Sequence, residues 1–191
     1  MGKIVLVMSV SLDGYVEGPG RDISWHRVDE ELHQHMNDLL RPMGAFLNGR
    51  VTHELMTSFW PTADADPEAS PTMAEYAGIW REKPKYVYSR TLPEGPAEWN
   101  TTVVREVVPE EVRALADRPG EGDIALAGAD LITSFLRHDL IDEFRVYVHP
   151  VLIGAGTPLF PRPGTPALVP LHLVESRTFG NGVTLLHHRR G

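Results

Sequence analysis

The stretch Phe46-Leu-Asn-Gly-Arg-Val-Thr-His-Glu-Leu-Met56 predicts a strand that passes through a glycine turn into a helix. An apolar run ends at Leu47, and Gly49 gives the backbone room to turn. The first backbone N–H groups of such a helix are free and lie at the positive end of its dipole. Because Arg50 and Thr52 add a cation and a hydroxyl there, the stretch predicts a phosphate site. The alternative is an ordinary turn glycine followed by a solvated arginine and a threonine cap.

The composition indicates a globular protein whose ligand is a small molecule. The 191 residues are 42% hydrophobic and 23% charged, which predicts one domain spanning residues 1–191. A formal net charge of −8 argues against nucleic acid or an anionic membrane as a partner. An anionic ligand would therefore need specific arginines to hold it.

The cysteine content and the hydrophobic pattern bear on location and metal binding. The chain has no cysteine, so it can form neither a disulfide nor a thiolate metal site. No apolar run is long enough to cross a bilayer, and the first residues resemble a buried strand rather than a signal peptide. We therefore expect a cytoplasmic protein. His33 and His35, two positions apart on a predicted helix, do not form a metal pair, and we expect no metal site.

Hydrophobic periodicity predicts strands that alternate with helices and are followed by a strand-rich tail. The predicted strands are 3–10, 45–47, 85–89, 101–104, 123–127 and 140–149, the predicted helices are 28–40, 51–56, 73–81, 109–116 and 129–138, and a hairpin joins 171–177 to 183–188. Residues 59–72, rich in Pro, Asp and Ala, are interpreted as an exposed loop. The pattern predicts a three-layer α/β fold with a mixed, mostly parallel sheet, flanking helices and an antiparallel C-terminal hairpin.

Three short motifs are predicted to lie at the carboxyl ends of neighbouring strands. They are Gly49-Arg50-Val51-Thr52, Ser89-Arg90-Thr91 and Ala127-Gly128-Ala129. Two of them begin a helix and two carry an arginine, which suits several phosphates of one dinucleotide. The second arginine favours NADP over NAD because it can hold a further phosphate. The alternative is three ordinary turns with solvated arginines, and the usual Gly-x-Gly-x-x-Gly fingerprint is missing.

Six motifs in order resemble the dihydrofolate reductase-like superfamily, and most closely the reductase domain of the riboflavin-biosynthesis deaminase/reductase. These motifs are Ser11-Leu-Asp-Gly-Tyr-Val16, Leu47-Asn-Gly-Arg-Val-Thr52, Ser89-Arg-Thr-Leu92, Gly128-Ala-Asp-Leu131, Leu140-Ile-Asp-Glu143 and Pro150-Val-Leu-Ile-Gly-Ala-Gly156. The resemblance covers nearly the whole chain. It implies an NADPH-dependent reductase.

The resemblance also implies roles for residues of the cofactor site. Arg50 and Thr52 would contact phosphates, and Ser89 and Arg90 would lie near the adenosine end, with Arg90 on the 2′-phosphate. Gly128 and Ala129 would cradle the pyrophosphate, and Gly49 and Ala127 are also expected among the cofactor-binding residues. Dihydrofolate reductases have a Gly-Gly pair where this chain has Ala127 and Gly128, so we expect the backbone to approach the cofactor less closely here.

On the substrate side the resemblance points to acidic and aromatic residues near the first helix. Asp13 would border the nicotinamide and substrate cleft. Trp25 and a following acid, Asp29 or Glu30, would correspond to the tryptophan and the acidic residue of folate-reducing relatives. The alternative for both acids is ordinary placement in the first turn of a helix. His26, next to Trp25, is a further candidate ligand or proton donor.

Two functions follow from these observations. The first is transfer of a hydride from NADPH to a small conjugated heterocycle, such as a pteridine or a flavin precursor. The second is a non-catalytic module that binds a nucleotide or ligand on the same fold. A homodimer is also expected, with Phe144, Tyr147, Leu152 and Phe160 as interface residues.

Overall fold

A mixed β-sheet forms the centre of the computed structural model, which describes residues 2–118, 122–161 and 168–191. Within these residues the strands are β1 (Ile4–Ser11), β2 (Tyr15–Glu17), β3 (Ala45–Gly49), β4 (Lys85–Tyr88), β5 (Gly95–Ala97), β6 (Thr101–Val104), β7 (Ile124–Ala127), β8 (Glu143–His149), β9 (Thr157–Pro158), β10 (Leu171–Thr178) and β11 (Thr184–Arg190). The helices are α1 (Glu30–Leu40), α2 (Arg50–Thr57), α3 (Pro71–Glu82), α4 (Pro109–Ala116) and α5 (Ala129–Arg137), and short 3₁₀ turns span Pro19–Arg21 and Trp60–Ala65.

Nine of the described strands pair in the order β10-β11-β8-β1-β7-β3-β4-β6-β5. The six strands from β8 to β6 are parallel to one another, whereas β5 at one edge and β11 with β10 at the other are antiparallel. Strands β2 and β9 form a separate small ribbon. The predicted three-layer α/β fold, with its C-terminal hairpin, is confirmed.

Alternating side chains of the central strands form a hydrophobic core on each face of the sheet. On one face Leu47 and Leu126 pack with residues of α4 and α5, among them Phe135. On the other face Phe46 packs with residues of α1 and α3, among them Trp80. Covering both faces explains why these strands are almost continuously apolar in the sequence.

Three of the differences between the structure and the prediction have local causes. Helix α1 starts at Glu30 rather than at residue 28, because the side chain of Asp29 caps it by accepting from Leu32 N at 3.0 Å. The segment predicted as an exposed loop contains the 3₁₀ turn and the start of α3, and an Arg81–Asp64 ion pair of 2.7 Å ties it down. Strand β5 was not predicted, because it contains Pro96, which is tolerated in a strand at the sheet edge.

Candidate functional site

A cleft lies at the carboxyl ends of the parallel strands, where α/β sheets place their ligands. It has a volume of about 1690 Å³, more than the roughly 300–1,000 Å³ of a typical small-molecule pocket. All eight predicted cofactor-binding residues line it, namely Gly49, Arg50, Thr52, Ser89, Arg90, Ala127, Gly128 and Ala129. The cleft therefore has room for a dinucleotide and a second, smaller ligand.

Helices α2 and α5 both begin at this cleft without a side-chain cap. Gly49 precedes α2 and Gly128 precedes α5, and neither position supplies a side-chain acceptor. The first backbone N–H groups of both helices are thus available to an anion, and both dipoles favour negative charge there.

Gly128 brings the two helix starts together. Its backbone has a positive φ of 108°, which favours glycine. A Cβ at this position would lie 3.1 Å from Gly49 N and 3.2 Å from Thr52 Oγ1, closer than side chains usually approach. Ala127 is the last residue of β7 and lines the cleft. The position whose backbone requires glycine is 128, and a glycine is present there. This geometry fits the pyrophosphate of a dinucleotide.

Arginines surround this end of the cleft. Arg50 forms a two-pronged pair with Glu54 on the next turn of α2, at 2.7 and 2.8 Å. Arg90 is exposed and makes no hydrogen bond or ion pair with any described residue. Arg105 follows β6 and donates from Nη1 to the carbonyl oxygen of Ser89 at 3.0 Å. Glu17, Glu106 and Asp130 also line the cleft, so its arginines share the site with carboxylates.

The turn after β4 is held by the Ser89 hydroxyl. Its Oγ accepts from the backbone N–H groups of Thr91 at 3.2 Å and Leu92 at 3.1 Å. This local bonding places Arg90 at the cleft wall. The sequence analysis did not select Arg105. Arg90 was selected as an arginine at the end of a parallel strand, and Arg105 meets the same criterion.

The other part of the cleft is an aromatic pocket over the sheet face that carries α1 and α3. We define it by Phe46 on β3, by His33, Met36 and Leu40 on α1, by Met56 on α2, by Phe59 and Trp60, and by Met73, Tyr76 and Trp80 on α3. The Trp60 ring makes edge contacts with Tyr76 at 4.4 Å, Phe59 at 4.9 Å and His33 at 5.9 Å between centroids. The pocket suits a flat, apolar ring.

None of the four predicted catalytic residues lines the cleft. Asp13 is exposed, and its carboxylate accepts from the backbone N–H groups of Ile153 at 3.3 Å and Gly154 at 2.8 Å. A hydrogen bond from Ser11 is the main cause that lowers the pKa of Asp13. Trp25 donates from Nε1 to the carbonyl oxygen of Asp22 at 3.0 Å.

The two acids predicted on α1 are used for local structure. Asp29 caps the helix, and Glu30 accepts from the Thr72 hydroxyl at 2.9 Å, which links α1 to α3. Neither residue lines the cleft. The face of α1 that does so carries His33, Met36 and Leu40, whose spacing of three and four residues could have identified it. Burial lowers the pKa of His33, so its imidazole is neutral at pH 7.

His26 lines the cleft, as part of a cluster with Trp25 and His149. The rings of His26 and His149 stack at 5.0 Å, and the Trp25 ring is 4.3 Å from His26. His149 was expected at the surface or in a strand, and it is fully buried in β8, with Nδ1 accepting from Arg27 N at 3.0 Å. The Nε2 atoms of both histidines are buried without a hydrogen-bond partner among the described residues.

Candidate metal clusters and membrane-spanning helices are both missing from the described residues. They contain no group of three or more His, Cys, Asp or Glu side chains arranged to hold a metal ion. No helix among them combines the length and apolar character required to cross a bilayer.

Comparison with known proteins agrees with this architecture. The family model of the RibD C-terminal domain matches residues 2–185. The uncharacterized protein YyaP of Bacillus subtilis (strain 168) is 33% identical over 190 residues, which covers 99% of this chain and 96% of YyaP. YwjB of the same organism is 26% identical over 98% of each chain.

Solved structures share the fold. A putative riboflavin biosynthesis protein from Shewanella sp. PV-4 superimposes with a TM-score of 0.74 at 24% identity, covering 100% of this chain and 99% of that one. A Thermotoga maritima diaminohydroxyphosphoribosylaminopyrimidine deaminase/5-amino-6-(5-phosphoribosylamino)uracil reductase does so with a TM-score of 0.67 at 17% identity. This chain is covered completely in that comparison and spans 57% of the Thermotoga protein. The family match over residues 2–185 shows that the chain belongs to the RibD C-terminal domain family.

Proposed function

We propose that the protein is an NADPH-dependent reductase that transfers a hydride to a small conjugated heterocycle, of the pteridine or flavin-precursor kind. The observation that carries this proposal is the pair of uncapped helix starts that Gly128 brings together beside an aromatic pocket. The first feature suits a pyrophosphate, and the second suits a planar acceptor. Membership of the RibD C-terminal domain family supports an oxidoreductase.

The preference for NADPH rests on the cations beside the turn after β4. Arg90 is exposed and without a partner among the described residues, so its guanidinium is available to the 2′-phosphate. The Ser89 and Thr91 hydroxyls lie beside it, 3.3 Å apart. Arg50, Thr52 and the first N–H groups of α2 and α5 would hold the remaining phosphates.

The chemistry divides between the cofactor and the chain. When bound, NADPH supplies the hydride. The aromatic pocket orients the acceptor ring and excludes water from it. The reduced C=N or C=O group also takes up one proton on its heteroatom, and this proton comes from solvent. The neutral His33 imidazole can donate a hydrogen bond to that heteroatom, which orients it and stabilises the negative charge that develops on it.

The first test is a fluorescence titration with NADPH and NADH of the unaltered protein and of Arg90→Ala. A charge-assisted hydrogen bond contributes about 1.5–3 kcal/mol, so the substitution should weaken NADPH binding by roughly 10- to 100-fold and leave NADH binding unchanged. The control is Arg177→Ala on β10, which removes an exposed arginine paired with Glu31 away from the cleft. Absence of binding of either cofactor to the unaltered protein would contradict the proposal.

One observation favours a second candidate function, a non-catalytic binding module. No Asp or Glu of the described residues lines the aromatic pocket, and the cleft acids Glu17, Glu106 and Asp130 lie outside it. A carboxylic acid is therefore missing as proton donor beside the acceptor. This alternative predicts NADPH binding without NADPH oxidation at 340 nm by any pteridine or flavin-like acceptor. Oxidation that depends on the acceptor would exclude it.

A further inference from the structure

We infer that the aromatic pocket takes an uncharged planar ring that carries neither a phosphate nor a carboxylate. This inference rests on the proposed function and narrows its substrate class. It follows from the way in which charges are distributed along the cleft.

The cations of the cleft lie at its dinucleotide end and at its rim. Among the described residues, the lysine and arginine side chains that line it are Arg21, Arg50, Arg90 and Arg105. The last three follow β3, β4 and β6, on the side of the uncapped helix starts. Arg21 is exposed on the turn after β2 and lies in a small recess with Glu17 and Glu54. A phosphate at any of these positions lies outside the aromatic pocket.

The aromatic pocket has very few polar atoms. Of its ten residues only His33, Trp60, Tyr76 and Trp80 carry side-chain nitrogen or oxygen atoms, and none is a cation at pH 7. Burial lowers the pKa of His33 and raises that of Tyr76, so both groups are kept neutral. The Trp80 Nε1 atom is buried without a hydrogen-bond partner among the described residues.

The lysine beneath this pocket is shielded from it. The Nζ atom of Lys85 lies 4.4 Å from the centroid of the Trp80 ring and donates to the carbonyl oxygens of Trp80 at 2.6 Å and Lys83 at 2.8 Å. Burial lowers the pKa of Lys85 to about 8. Lys85 is not part of the cleft lining, so its ammonium group is not available to a ligand there.

An anionic ligand would therefore lose its hydration in this pocket without gaining a cationic partner. Burying an unpaired charge is strongly unfavourable, whereas a neutral ring gains both apolar burial and contacts with the aromatic side chains. The Thermotoga maritima relative is named as reductase of a phosphoribosylamino compound. The described residues of this chain offer such a phosphate no partner within the aromatic pocket.

The experiment compares matched ligands by calorimetry on protein loaded with NADP⁺, so that anionic probes cannot occupy the dinucleotide site. One pair is lumazine and lumazine-6-carboxylate, and the second is riboflavin and riboflavin 5′-phosphate. We expect the neutral member of each pair to bind at least tenfold more tightly. Equal or tighter binding of the anionic member, or no binding of either neutral ring, would overturn the inference.

Two variants test whether the pocket and its charge cause the preference. Trp60→Leu should weaken binding of the neutral ring about tenfold, whereas Trp99→Leu, which changes an exposed tryptophan outside the cleft lining, should not. Met73→Lys places a cation in the pocket. It should reduce the preference for lumazine over lumazine-6-carboxylate about tenfold. Unchanged discrimination in a folded Met73→Lys protein would contradict the role of charge.

The same titrations separate the inference from the proposed function. The ligand pairs are measured again without NADP⁺, and NADPH binding is measured on its own. If NADPH does not bind but the neutral rings still do, the reductase proposal fails and the inference about the pocket stands. If NADPH binds and the anionic rings are preferred, the inference fails and the reductase proposal stands.

Discussion

At Gly128 a positive φ of 108° coincides with a backbone contact that leaves no space for a side chain. Gly128→Ala should destabilise the fold by about 1–3 kcal/mol, because strain and crowding against Gly49 N add together. It should also weaken NADPH binding, because the start of α5 is displaced. The measurements are urea unfolding and the NADPH titration.

Gly49→Ala is the matched control for this prediction. Gly49 has an ordinary φ of −70°, and the Cβ of an alanine would lie 3.8 Å from Leu131 Cβ, a normal contact distance. The free energy of unfolding should therefore change by less than about 1 kcal/mol. Equal destabilisation by the two substitutions would show that the close approach at Gly128 is unimportant.

His149 makes a prediction about pH. Burial lowers the pKa of His149 from 6.5 to about 4, helped by the nearby His26 and Arg27. As the pH falls from about 6.5 toward 4, His149 is therefore protonated in the unfolded chain before it is protonated in the folded chain. The stability that neutral His149 contributes is complete above pH 6.5 and is lost over this interval.

The corresponding variant is His149→Gln, whose amide oxygen can still accept from Arg27 N. Between pH 7.5 and pH 5.0 the unaltered protein should lose about 1–2 kcal/mol more of its free energy of unfolding than the variant does. Urea unfolding at both pH values measures this difference. Equal losses of the free energy of unfolding in the unaltered protein and the variant would mean that the other buried histidines, and not His149, cause the acid sensitivity.

On helix α2, the carboxylate of Glu54 competes with a bound phosphate for the guanidinium of Arg50. When a phosphate binds, the hydrogen bonds from Arg50 to the two carboxylate oxygens of Glu54 must break, or Arg50 must contact both anions. Glu54→Gln should therefore increase NADPH affinity about two- to fivefold, because an exposed pair of this kind contributes about 0.3–0.5 kcal/mol and its negative charge is also removed. Helix stability should hardly change. A decrease in affinity would indicate that Glu54 holds Arg50 in its binding orientation.

At the scale of elements, the sequence identified strand ends better than helix faces. The glycine turns after β3 and β7 were predicted because a strand, a glycine and a helix follow one another directly in the chain. The catalytic acids were sought in the first turn of α1, where Asp29 and Glu30 serve as a cap and as a contact to α3. The residue on the cleft-facing side, His33, lies one turn later, and its helical spacing to Met36 and Leu40 was the signal that could have identified it.

At the scale of the whole molecule, the layers and the parallel core were predictable because both faces of the sheet are covered. The aromatic pocket was not, because it joins His33, Trp60 and Tyr76 from three segments far apart in the chain. The segment carrying Phe59 and Trp60 was interpreted as an exposed loop on its proline and aspartate content. Its aromatic residues contact α1 and α3, and local composition carries no information on such contacts.

The homodimer remains a prediction, and the structure changes which residues we expect at its interface. Phe144 and Tyr147 are buried in the hydrophobic core of the chain itself, whereas Leu152 and Phe160 are exposed. Strand β10 lies at the sheet edge with every residue exposed, and Leu173 and Val174 are 61% and 51% exposed. An uncovered edge strand with apolar side chains is a template for pairing with a second chain.

We therefore propose a homodimer that pairs through β10. Leu173→Lys should convert the dimer to a monomer at micromolar concentration, since it places a charge in the apolar part of the interface, and sedimentation equilibrium measures the mass. Trp99→Lys is the control, because it changes an exposed aromatic residue just after β5, at the opposite edge of the sheet. A monomeric unaltered protein, or dissociation caused by Trp99→Lys alone, would contradict pairing through β10.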